Sequence, residues 1–260
     1  MTGRAVVTWW GGRSTAVRGA VTLYAVVVVA HLVGQVVGAR GVADATQWAL
    51  MPLLALVLAL LVPQDRGRRV TLVLVALGFS WLGDTLPDVV GSDASFRTMV
   101  GSFLLAQITY LVAFVPVAHR TPFVRRPWLA LPYVGVLVGL VGACAPAAGS
   151  LLVPLVVYGV CLVAMAMAAT GVHRLTGIGG AVFLVSDALI ALRAFADLEP
   201  PLADLWVMAT YVAGQTLIVA GVVAARRPPG LRLAAPAPGA RSRSVTGRPA
   251  AGHAVAPPEP

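Results

Sequence analysis

Lysine is absent from this 260-residue chain, and charge of either sign is scarce. Only 11% of the residues are charged, against 58% hydrophobic, and the mean hydropathy is +0.87. A soluble domain of this length does not carry that balance. The acids number ten, so the net charge of +9 comes entirely from arginine. So basic a chain invites a nucleic-acid partner. That reading is excluded, because the arginines sit in short connections and tails between apolar runs, as membrane orientation signals do. Cysteine is nearly missing too. Cys144 and Cys161 stand in apolar surroundings without metal-type spacing, so inert thiols are expected and no disulfide is implied. Alternating segments of about ten residues are also lacking, which excludes a spanning β-barrel.

What fills the chain is a series of apolar runs near the ~20 residues that cross a bilayer. The expected fold is an all-α polytopic membrane protein with eight transmembrane helices. These are placed at 18–39, 45–63, 70–90, 98–118, 127–145, 150–170, 175–196 and 204–225. The chain divides into an N-terminal tail (1–17), the helical domain (18–226) and a Pro/Ala/Arg-rich tail (227–260). That last tail has almost no large apolar residues and is expected to be disordered. The first run ends in Gly38-Ala39-Arg40-Gly41, a poor cleavage site, which predicts a retained helix in place of a signal peptide. All nineteen basic residues but Arg40, Arg97 and Arg193 fall on one side of the predicted bundle. That asymmetry places both termini in the cytoplasm of a bacterial-type plasma membrane.

Two acids break the apolar pattern. Asp84 follows Phe79-Ser80-Trp81-Leu82-Gly83, and Asp187 follows Phe183-Leu184-Val185-Ser186. Each lies deep in an apolar run, at an insertion cost of about 2.5–3.5 kcal/mol, and is therefore a functional candidate. The two halves of the chain repeat these features in order. Met51-Pro52-Leu53 matches Val153-Pro154-Leu155, Asp84 matches Asp187, and Gln107 with Tyr110 matches Tyr211 with Gln215. Four helices per half make this a parallel 4+4 repeat. Counting along the helices puts both aspartates about 18–21 Å from the cytoplasmic ends, level with His31. Ser80 shares a helix face with Asp84, as Gln107 does with Tyr110 and Tyr211 with Gln215.

One polar pocket is thus expected. Asp84 and Asp187 form its catalytic pair, with His31, Ser80, Gln107, Tyr110, Tyr211 and Gln215 binding substrate. Tyr133 and Tyr158 are read as packing or interface residues. Two carboxyl groups in a semi-dry site do not both ionise easily, so a proton donor stands beside an anion, as acetal-like C–O cleavage requires. No metal or other cofactor is expected. A proton-coupled transporter or a lipid-binding protein could use the same acids. An intramembrane aspartyl protease would need Gly-x-Gly-Asp, and Trp81 stands at its first glycine.

The ordered motifs Met51-Pro52-Leu53-Leu54, Phe79-Ser80-x-Leu82-Gly83-Asp84, Ala106-Gln107-x-x-Tyr110, Phe183-x-x-Ser186-Asp187 and Tyr211-x-x-x-Gln215 resemble the YhhN-type lysoplasmalogenase family. The resemblance covers roughly residues 20–225. It implies an integral membrane hydrolase that cleaves the vinyl ether bond of lysoplasmalogens, releasing a fatty aldehyde and a glycerophospho-choline or -ethanolamine. The implied partner is a lysophospholipid within the bilayer. One departure stands out. Such proteins often open the second helix with Lys-Pro, where this chain has Gln47-Trp48-Ala49-Leu50.

Overall fold

The computed structural model describes residues 14–64 and 66–226, leaving aside the side chains at 92 and 93. Most of the N-terminal tail and all of the 227–260 tail lie outside these residues. The described residues hold eight long helices: α1 (Thr15–Val37), α2 (Arg40–Leu61), α3 (Gly67–Val89), α4 (Ser92–Phe114), α5 (Leu131–Ala148), α6 (Leu152–Ala169), α7 (Arg174–Ala196) and α8 (Ala203–Ala224). There is no strand among the described residues.

The helix ends follow local chemistry. Ser14 caps α1, its hydroxyl accepting from Val17 N at 3.3 Å. Gly38 stops α1 with φ +70°, a conformation that costs glycine nothing. His173 caps α7, its Nδ1 accepting from Leu175 N at 3.1 Å. Pro116 ends α4 earlier than its apolar run suggests, because proline has no N–H and clashes with the carbonyl four residues back. The chain continues as short helical turns at Val115–Arg120, Pro122–Arg125 and Pro127–Ala130 before α5 begins. Conversely, α2, α3 and α4 start several residues before their apolar runs, because a helix extends beyond the hydrocarbon into the interface.

Among the described residues, seven segments are long and apolar enough to cross a bilayer. The segment Pro127–Ala169 has 43 residues and contains both α5 and α6. These two fold back on each other at Gly149, with φ +50°. Leu137 then meets Gly159 so closely that a Cβ at 159 would lie 2.7 Å from Leu137 Cδ1. The chain is a multi-pass helical membrane protein. Its outer surface is apolar, as a lipid-facing surface must be: Val26, Val29, Val33 and Val36 form one exposed stripe along α1.

The helices close a circuit. Helix α1 packs on α2, α2 on α3, α3 on α4, α4 on α6, α6 on α7 and α7 on α8, which returns to α1 and α2. Helix α5 lies outside this circuit, chiefly against α6 and α7. The α7–α8 contact is backbone against backbone. A Cβ at Gly179 would meet Gly214 O and Ile218 N, each at 2.7 Å, and one at Gly214 would meet Phe183 N at 2.9 Å. Small residues at such a seam let backbones approach where lipid supplies no hydrophobic drive.

Candidate functional site

Asp84 and Asp187 are 6% and 7% exposed and line one cavity of about 270 Å³. Gln35, Gln47, Ser186, Arg193, Asp204 and Tyr211 share its wall. The cavity lies toward the end of the bundle that carries the α1–α2, α3–α4 and α7–α8 turns. Asp84 stands near the C-terminal end of α3, and Asp187 nearer the middle of α7. Their depths therefore differ more than the expected boundaries implied, because α3 begins at Gly67 and not at Val70.

Each carboxyl group accepts a tyrosine hydroxyl. Tyr211 donates to Asp84 Oδ2 at 2.8 Å, and Tyr158 donates to Asp187 Oδ2 at 2.5 Å. Gln107 Nε2 adds a longer bond of 3.4 Å to the same Asp187 oxygen, while Gln107 Oε1 is buried without a partner. Gly83 brings α4 against this site: a Cβ there would lie 2.8 Å from the Phe103 ring. Phe103 meets Tyr211 edge-on, with ring centroids 5.7 Å apart, and Phe183 lies 5.6 Å from Tyr211 on another side. The ring that holds Asp84 is thus clamped by two others.

One turn below Asp84, Tyr110 donates to Gln215 Oε1 at 2.6 Å, and Gln215 Nε2 donates to Ser80 Oγ at 3.1 Å. This chain joins α4, α8 and α3. Neither it nor Gln107 is on the cavity wall, so of the six residues expected to bind substrate only Tyr211 lines it. His31 is brought elsewhere. Its Nδ1 lies 3.0 Å from both the Ala43 carbonyl and Thr46 Oγ1, which ties α1 to α2, and its Nε2 is buried unpartnered.

Tyr158 corrects the sequence reading. It was expected to pack, and instead it bonds Asp187 from α6. Tyr133 does pack, edge-on to Phe123 at 5.6 Å. Arg193 was also missed as a wall residue. Its guanidinium is held by Asp204 at 2.5 Å and Glu199 at 2.9 Å, beside the cavity. A partly exposed cation in an outer turn of a helix gave little sign of this. Among the described residues, no group of three or more His, Cys, Asp or Glu side chains is placed to hold a metal ion.

A second cavity, of about 300 Å³, adjoins the first. Met99, Phe103, Asp187 and Ile190 border both. Its lining is nearly all aliphatic and aromatic, drawn from α4, α5, α6 and α7.

The model of the YhhN family matches residues 43–222, which is most of the chain. The chain belongs to the YhhN family. Among curated relatives are proteins named Lysoplasmalogenase from Mycobacterium bovis (strain ATCC BAA-935 / AF2122/97) and Mycobacterium tuberculosis (strain CDC 1551 / Oshkosh). Each is 29% identical over 180 residues, covering 63% of this chain and 64% of the relative's own length. No solved structure matches. The YhhN match takes in α2 to α8 with both aspartates, and it leaves out α1 with His31.

Proposed function

We propose that this YhhN-family chain is a membrane hydrolase that cleaves the vinyl ether bond of lysoplasmalogens with Asp84 and Asp187 as an acid/base pair. The observation that carries this is the shared cavity, with each carboxyl group held by a tyrosine hydroxyl. The curated relatives supply the substrate class.

The chemistry proceeds in balanced steps. A protonated carboxyl group gives its proton to the vinyl β-carbon, and the π electrons form that C–H bond. The α-carbon and the ether oxygen share the resulting oxocarbenium charge, which the other carboxylate stabilises. Water adds to the α-carbon and yields a proton to that carboxylate. The hemiacetal then collapses. Its hydroxyl proton is lost, the C–O bond breaks toward glycerol, and the glycerol oxygen takes up a proton. Net, one water is consumed, and an aldehyde and an alcohol are released. Asp187 is the proposed donor because it borders the apolar cavity, where the β-carbon side of the substrate would lie. Both donors to Asp187 reach Oδ2, which leaves Oδ1 to carry the proton. Asp84, in the polar cavity, would receive the water. The pair titrates as one unit.

Arg193 is the proposed partner for the substrate phosphate, with Tyr211 near the glycerol. Ser80, Tyr110, Gln107 and Gln215 keep the pair in position. We place both termini in the cytoplasm and regard the two four-helix halves as a parallel repeat.

The test is aldehyde release from a 1-alkenyl-lysophospholipid by protein purified in detergent. Activity is expected. No aldehyde from any such lipid with folded protein would overturn the reading, and gradient-driven uptake of unchanged lipid would replace it with transport.

A further inference from the structure

The aspartate cavity accounts for the polar end of an amphiphile and leaves the adjoining apolar cavity unexplained. Its walls include Val100 and Leu104 of α4, Leu140 of α5, Leu155 and Leu162 of α6, and Ile190 of α7. Helix α4 packs on α3 and α6, and α5 packs chiefly on α6 and α7, so α4 and α5 both line the cavity without packing closely on each other. The outer faces of these two helices are apolar, with Leu105, Ile108 and Val138 exposed. A path from the hydrocarbon into this cavity is therefore apolar except for Arg97, near the start of α4. At the inner end stand Asp187 and Tyr158, and beyond them Arg193 and Asp204.

We infer that this groove is the binding site for the single hydrocarbon chain of a lysolipid. The lipid enters sideways between α4 and α5 and passes its polar end over Asp187 into the aspartate cavity. The inference deepens the hydrolase reading by assigning where the chain lies. The occupant follows from continuity. The groove is apolar except for Arg97 near the start of α4, the adjoining cavity carries Arg193 with its paired acids, and the boundary between them is Asp187. An apolar metabolite would have no use for Arg193, and a water-soluble phosphate ester would have none for the groove. At about 300 Å³ the groove is at the small end of ligand pockets, which suits one chain. Entry from lipid gains no hydrophobic free energy, since the chain leaves one apolar medium for another. Selection therefore rests on shape, and filling the groove should exclude the chain.

Gly101 provides the means. It lines the groove, and a Cβ built there meets no atom within 4 Å. Gly101→Phe has open space for its Cβ and carries a ring at the groove, and Leu155→Trp adds bulk from the facing wall. The probe is an uncleavable 1-O-alkyl lysophosphocholine with a diazirine near the chain terminus, photolysed in nanodiscs. Labelling is expected on the peptides 96–104 and 140–155, and each variant should lower it at least tenfold with thermal unfolding unchanged. Labelling that is unaffected by both variants, or that falls on the outer valines of α1, overturns the inference. Aldehyde release measured on the same samples separates the two readings. Release without groove labelling sinks the groove alone, and groove labelling without release sinks the hydrolase alone.

Discussion

The Asp187 carboxyl group accepts two side-chain hydrogen bonds and that of Asp84 accepts one, and the consequences differ side chain by side chain. Asp84→Asn and Asp187→Asn should each lower aldehyde release at least ~100-fold, the usual contribution of a positioned acid or base. Retained activity in either would remove that residue from the chemistry. Tyr158→Phe deletes the 2.5 Å bond to Asp187 and leaves only the 3.4 Å bond from Gln107. Asp187 becomes charged as it gives up its proton, and a hydrogen bond to a charged group is worth about 1.5–3 kcal/mol, so the rate should fall roughly 10- to 100-fold. An unchanged melting temperature would mark the loss as catalytic. Gln107 fits both protonation states of its neighbour. Its amide nitrogen can donate to the carboxylate, and a half-turn would present the now unpartnered oxygen to the protonated form. The aspartates were legible because their cost in an apolar run singles them out. Tyr158 was not, because a tyrosine in a membrane helix is equally at home in packing, and nothing local reveals which helix it faces.

Individual helices were legible as apolar runs, and all eight appear. Their facing was not. In a soluble helix a polar stripe marks the outer side, but lipid makes the outer side apolar too and the period disappears. Hence His31 was placed at the level of the acids, yet it faces Ala43 and Thr46 on α2. Seams between helices make firmer predictions. Gly83→Ala pushes a methyl group to 2.8 Å from the Phe103 ring and should destabilise by about 1–3 kcal/mol. It should also slow aldehyde release, because Phe103 supports Tyr211. Gly179→Val at the α7–α8 seam should cost more, since the neighbours there are backbone atoms that cannot turn aside. Gly101→Ala has open space around its new methyl group and should not lower stability. Thermal unfolding of the three in one detergent tests the order. A Gly179→Val protein as stable as Gly101→Ala would refute the close seam.

At the scale of the whole molecule, the aspartate cavity and the groove share the end opposite the arginine-bearing α2–α3, α4–α5 and α6–α7 connections. The proposed topology, with both termini in the cytoplasm, makes that end extracytoplasmic. With Cys144 and Cys161 replaced by alanine, Leu198→Cys should therefore react with an impermeant maleimide added to intact cells, and Arg68→Cys should not. The reverse pattern would invert the topology and the leaflet from which substrate comes. The circuit of helices adds a mechanical point. The side-chain hydrogen bonds to the two carboxyl groups come from α4, α6 and α8, all members of the closed ring. Helix α5 forms one lip of the groove and is tethered to α4 through three short turns. The frame around the acids therefore closes without α5, and this lip of the groove takes no part in holding the carboxyl groups.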